Sequence, residues 1–104
     1  MTVLHRRADP DALVLAIGGR VRPEDVQEVV AAAAQMMRED DGDRVVLDFA
    51  LLQHRGLSAV DAVVQIQLAA RRQGRRVGVR NAAPEMRRLL TFVGLDDLLP
   101  PTGA

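Results

Sequence analysis

Apolar positions along this chain follow two rhythms: short, nearly continuous runs, and longer stretches that repeat every three to four residues. The runs "TVLHRR" and "ALVLAI" flank the turn-forming cluster "ADPD", which predicts two short strands with a tight connection, Gly18 and Gly19 ending the second. The segment "RPEDVQEVVAAAAQMMRED" predicts a long helix. Pro23 suits its first position, Glu24 and Asp25 favour its first turn, and Val26, Val29, Val30, Ala33 and Met37 share one face, with Gly42 closing it. "RVVLDF" is β-branched and nearly all apolar, the pattern of a central strand covered on both faces, and implies parallel neighbours.

After the loop "ALLQHRG", Val60, Val63, Val64 and Leu68 recur at helical spacing from about Leu57 to Gln73, and Gly74 supplies a stop. "RRVGVR" predicts another strand. "APEMRRLLTFVG" predicts a third helix, opened by Pro84 and ended by Gly94, and "LDDLLP" a last helical turn before the tail "PTGA", which is expected to fray. Strands alternating with helices give an α/β fold: a mostly parallel mixed sheet of four to five short strands, three main helices and a short C-terminal helical turn. One domain is expected over residues 1–104, with its core at about 2–99.

Composition narrows the chemistry. Apolar residues make up 48% of the chain but aromatics only 2%, so the core must be built from Val, Leu, Ile, Ala and Met, with Phe49 and Phe92 the only large rings. Met36 and Met37 fill core or rim space. Fourteen basic and 14 acidic residues cancel, so no global field draws the chain to nucleic acid or an anionic membrane. Every basic residue is Arg, which excludes a Schiff-base or phosphate-loop lysine. The lack of Cys removes thiolate catalysis, Cys-ligated zinc and disulfides, and fits the cytosol. No apolar run reaches membrane-spanning length and "MTVLHRRADP" lacks a signal-peptide core, so a cytoplasmic protein without membrane insertion is expected.

Ser58 is the one serine, placed where the second long helix begins. "SAVD" has the form of a capping box, the hydroxyl capping the helix while Asp61 reaches back. The same place suits a phosphate, which would meet unpaired backbone N–H groups and the positive end of the helix dipole. Both roles stay open on the local pattern. His54 and Arg55 read as solvated loop residues, and two histidines without ligand-spaced companions argue against a metal site. Asp48, at a strand end, has no second carboxylate or nucleophile placed with it and reads as a turn or cap. The basic run Arg71, Arg72, Arg75, Arg76 and Arg80 favours a helix C-terminus over nucleic acid, because no aromatics interleave it. The Gly18–Gly19 doublet has no further phosphate-loop fingerprint and reads as a turn. No catalytic set and no cofactor is expected.

From about Leu13 to Leu99 the order of elements resembles the STAS domain, the family of sulfate transporters and anti-sigma-factor antagonists. "IGGRV" is similar to its strand end before the first helix, "RVVLDF" to its central strand, and "ARRQGRRVGVRNAAPEMRRLLTFVGLDDLL" to its C-terminal half, with Asn81 ending a strand. In the family's antagonists a loop Asp-Ser-Ser-Gly-Leu leads into a helix, and its second serine takes phosphate from a partner kinase. Without gaps this loop falls on Gly56-Leu57-Ser58-Ala59-Val60, so the resemblance implies Ser58 as the phosphoacceptor. Gly56 replaces the acid, Leu57 the first serine and Ala59 the glycine.

The resemblance further implies a non-enzymatic bacterial regulator of transcription that binds a serine-kinase anti-sigma factor. The partner surface it implies comprises Arg20, Arg22, His54, Arg55, Gly56, Leu57, Ala59 and Asp61, with phosphorylation of Ser58 weakening the complex. The alternative is a divergent STAS interaction module of a transport or stress-sensing complex, in which Ser58 is only a helix cap. A small enzyme or ligand-binding protein using the end of the central strand is the remaining rival. A homodimer is left open.

Overall fold

The computed structural model describes residues 2–7, 9–54 and 56–100, the His54 side chain excepted. Strands β1 (Thr2–Arg7) and β2 (Leu13–Arg20) pair antiparallel. In their connection the Asp9 carboxylate accepts the backbone N–H of Asp11 at 2.9 Å, the local bond that favours Asp in turns. A 3-10 turn at Pro23–Asp25 runs directly into α1 (Val26–Arg38). Then follow β3 (Arg44–Asp48), β4 (Leu52–His54), α2 (Leu57–Arg72), β5 (Arg76–Arg80), α3 (Pro84–Phe92) and a final 3-10 turn at Asp96–Leu98.

The sheet order is β1-β2-β3-β5, with β4 also on β2, and every pairing except β1–β2 is parallel. β3 pairs with β2 at residues 13–16, and β4 takes over at Gly19 and Arg20. This is the expected mixed sheet, with five strands. Alternation sends Leu13, Leu15, Ile17, Val45, Leu47 and Val79 into one core with Val29, Ala33 and Met37 of α1, Val63 and Ile66 of α2, and Met86 and Leu90 of α3. Val14, Ala16, Val46, Asp48, Gly78 and Arg80 therefore point to the opposite face.

Four expectations need correction. Gly18 and Gly19 do not end β2, which runs through them to Arg20. Gly19 has a positive φ of 76° and donates its N–H to the Leu51 carbonyl at 3.0 Å, while a Cβ on Gly18 would lie 3.1 Å from that of Leu51. The doublet admits the incoming chain after β3 instead of turning its own. The loop "ALLQHRG" contains β4, a strand too short to register as a periodic run.

α1 stops at Arg38, well before Gly42. Arg75, buried at 8% exposure, closes that end: its guanidinium donates to the carbonyls of Met37 and Asp40 and pairs with the Asp40 carboxylate at 2.9 Å. Its hydrogen bond is the largest influence lowering the Asp40 pKa. On α2 the inward face is Ala59, Val60, Ala62, Val63, Ile66 and Ala70, and Leu68 is exposed. Small alanines let the helix lie close, and they carry no weight in a pattern read from large side chains. Gly74 and Gly94 take the positive φ expected beyond helix ends, and Leu98 in the last turn is buried. No helix among the described residues is long and apolar enough to cross a membrane.

Candidate partner-binding site

β2, β4 and α2 converge where Arg20, Val21, Arg22, Pro23, Gly56, Leu57 and Ser58 line a cleft of about 390 Å³. Parallel pairing of β4 sets Arg20 beside His54 in register, so the two chain segments that carry the site are fastened through the sheet. The structure thus brings Arg20, Arg22, Gly56, Leu57 and Ser58 together. Arg55 and the His54 side chain lie outside the described residues.

Gly56, with extended φ −141° and ψ −172°, is the N-cap of α2, so Ser58 is its second helical residue. The capping-box expectation is corrected accordingly. Asp61 does not reach back; its carboxylate accepts from the Gln65 side chain at 3.1 Å, one helical turn on. Among the described residues the Ser58 hydroxyl makes no hydrogen bond, and Ser58 is half-buried in the cleft. Ala59 also departs from the expected partner set, because the next step around the helix turns it into the core at 1% exposure. Leu57 faces outward at 74% exposure, and Leu51, which sequence reasoning passed over, is also exposed. The doublet "LL" hid the division of labour, since Leu52 is buried while Leu51 is not.

The two arginines differ. The Asp25 carboxylate accepts the backbone N–H of Arg22 at 3.0 Å and its Nε at 3.1 Å, and the Thr2 hydroxyl at 3.2 Å. These contacts, the Arg22 side-chain bond first, hold the Asp25 carboxyl below its ordinary range, and Asp25 in turn raises the Arg22 pKa. Arg22 is therefore a fixed wall of the cleft. Arg20 has no ion pair among the described residues, so its guanidinium is available to an anion there.

Asp48 anchors the segment that leads to the site. It is 2% exposed, yet its Oδ1 accepts from the Ala50 N–H and the Asn81 amide, both at 3.0 Å, and its Oδ2 from Arg7 Nη1 and Arg80 Nε, both at 3.2 Å. Burial alone would raise its pKa. The Ala50 N–H, the Asn81 amide and Arg80 outweigh burial and hold the carboxyl below its ordinary value. Asn81 adopts a left-handed φ of 59°. The turn expected of Asp48 is present, and it also ties β1, β3 and β5 together. Among the described residues no three His, Cys, Asp or Glu side chains gather as metal ligands.

The family described as "Mlab, STAS domain" matches residues 4–100. The chain belongs to the STAS domain family. Comparison with curated proteins found no match. Among solved structures this STAS domain is similar to SpoIIAA, a Bacillus cell fate determinant. Against the unphosphorylated form identity is 17% and the TM-score 0.75, over 96% of this chain and 86% of that one. The phosphorylated form gives 18% and 0.72, over 96% and 89%. An anti-sigma factor antagonist from Mycobacterium paratuberculosis gives 17% and 0.75, over 99% and 88%. At these identities the likeness is one of fold, and it confirms the α/β STAS architecture expected from the sequence.

Proposed function

We propose that this STAS domain is a non-enzymatic, cytoplasmic regulatory binding protein of the anti-sigma-factor antagonist type. Its partner is a serine-kinase anti-sigma factor, and phosphorylation of Ser58 switches their contact. The observation that carries this is the setting of Ser58: the second residue of α2, in a cleft with Arg20 and Arg22, beside the outward Leu57. Leu57 and Leu51 supply apolar area that a partner would cover, and the arginines supply orientation. A phosphate on Ser58 brings about −1.5 to −2 charges and three acceptor oxygens into the first turn of a helix, where free N–H groups tolerate it. The fold need not move. A partner seated on Leu57 would then meet charge and bulk where it had met a hydroxyl, and release of the kinase would change which sigma factor is free.

Incubation with the serine-kinase anti-sigma factors of the source genome and ATP, read by intact mass, tests this directly. One added phosphate that disappears in Ser58→Ala is the expected result. No phosphate with any of them defeats the switch.

A second reading, an interaction module within a transport or stress-sensing complex, is favoured by the apolar Leu57 and by Gly56 in place of an acid at the loop. Ser58 would there be an unmodified contact residue. The same assay separates the two, because that module binds its assembly without ever gaining phosphate.

A further inference from the structure

The sheet face opposite the helices carries a charge pattern that the Ser58 cleft does not use. Arg44, Val46 and Asp48 of β3 lie on it, and the parallel register sets them beside Arg76, Gly78 and Arg80 of β5 in that order. Like charges side by side on neighbouring strands are unfavourable. Arg44 nevertheless sits beside Arg76 and has no ion pair among the described residues. Among the described residues the Arg76 side chain pairs only with Asp43, at 3.6 Å, both side chains more than two-thirds exposed, a contact worth little in water. Arg80 uses its Nε on Asp48, which leaves its terminal nitrogens for another acceptor.

Gly78 adds an independent observation. Glycine inside a strand marks a bulge, a bend or a close approach. The ladder from Arg44 to Asp48 is unbroken, the φ of Gly78 is not positive, and among the described residues a Cβ built there would meet nothing nearer than the Leu98 carbonyl at 3.8 Å. The backbone does not need this glycine. Its missing side chain leaves a notch beside Val46, walled by the Leu98 carbonyl, in an open groove of about 630 Å³ that Asp97 and Leu98 also line.

We propose that this groove binds an extended acidic segment of a protein partner, with acidic side chains at positions i and i+4 and an apolar one at i+2. Arg76 and Arg80 are four residues apart on one strand, about 13 Å at about 3.3 Å per residue, and an extended ligand repeats that spacing with i, i+2 and i+4 on one side. The first acid meets Arg44 and Arg76, the apolar side chain enters the notch over Gly78, and the second acid meets Arg80. A compact anion would satisfy only one end of the groove. Asp97 on the rim opposes the ligand and Asp43 competes for Arg76, so binding is moderate and salt-sensitive. None of this depends on Ser58.

Fluorescence anisotropy with a labelled Glu-Thr-Val-Thr-Glu peptide at low salt tests the groove, with Gln-Thr-Val-Thr-Gln as control. The glutamate peptide should bind about tenfold more tightly than the glutamine one, the equivalent of about 1.4 kcal/mol over two charged contacts. The double variant Arg44→Gln/Arg76→Gln should lose a similar factor. Gly78→Val should also weaken binding, and Asp97→Asn should strengthen it, while Ser58→Asp leaves it unchanged. Circular dichroism verifies the fold of each variant, and the exposed arginine pair carries the test if Gly78→Val does not fold. Four results overturn the proposal: no binding up to about 1 mM peptide, equal binding of both peptides, indifference to the arginine pair, or displacement by inorganic phosphate at the peptide's own concentration.

Discussion

Asp48→Asn keeps the shape of a buried side chain while removing its charge, and the four hydrogen bonds of Asp48 set the expected loss. A carboxamide offers one acceptor oxygen where the carboxylate offered two, and its NH₂ must face donors on one side. If the oxygen stays with Ala50 and Asn81, those two bonds lose their charge assistance, about 1 kcal/mol each. The NH₂ then confronts Arg7 and Arg80, whose side chains are 53% and 43% exposed and turn to water at a cost of about 0.5 kcal/mol for the pair. The sum is about 2–3 kcal/mol at pH 7, or roughly 10 °C in Tm for a chain of this size.

Urea unfolding followed by circular dichroism measures it, with Arg7→Ala, expected to lose less than about 1 kcal/mol, as the comparison. The pH dependence has a definite sign. The Asp48 pKa is lowered on folding, so its contribution is present above the unfolded value of about 3.9 and is lost as pH falls through the folded value below it. The gap between wild type and Asp48→Asn should therefore be full at pH 7 and narrow below about pH 4. A gap under about 0.5 kcal/mol at pH 7, or one that stays constant into acid, refutes the reasoning.

Arg75→Met should cost about 3 kcal/mol in the same assay, because three charge-assisted bonds go at once: among the described residues the Met37 carbonyl keeps only the Asp40 N–H and the Asp40 carboxylate only the Gly42 N–H and Arg6; a loss below about 1 kcal/mol would show that the end of α1 closes without it. Leu57→Ser should change stability by less than about 0.5 kcal/mol, since the side chain is solvated, yet weaken partner binding about tenfold in a titration; unchanged affinity would remove Leu57 from the interface.

Most of the fold was legible because its elements are bounded by local chemistry. Pro23, Pro84, Gly74 and Gly94 stand where they open or close helices, and "RVVLDF" has the unbroken apolar character of an interior strand. What escaped was set by contacts distant in sequence. β4 exists because Gly18 and Gly19 admit it, and α1 stops at Arg38 where Arg75, from the turn between α2 and β5, takes the Met37 carbonyl and that of Asp40 just beyond the helix. On α2 the pattern found Val60 and Val63 of the inward face but took in the exposed Leu68 and missed the alanines, which signal nothing until the sheet beneath is known.

At the site, position along the chain was readable and orientation was not. Gly56, Leu57, Ser58, Arg20 and Arg22 meet in one cleft, but Ala59 turns inward and Gly56, not Ser58, caps the helix. One step along a helix rotates a side chain by about 100°, so moving the cap by two residues reassigns every face of its first turn. Asp48 read as a turn residue because its partners Arg7, Arg80 and Asn81 are more than thirty residues away in sequence.

In the proposed switch, the state of Ser58 gates the partner. Isothermal titration of a serine-kinase anti-sigma factor from the same genome against the unmodified chain, Ser58→Ala and the Ser58-phosphorylated chain measures it most directly. The unmodified chain and Ser58→Ala should bind alike, and phosphorylation should weaken binding at least about tenfold, or about 1.4 kcal/mol. Equal affinity for all three would contradict the account.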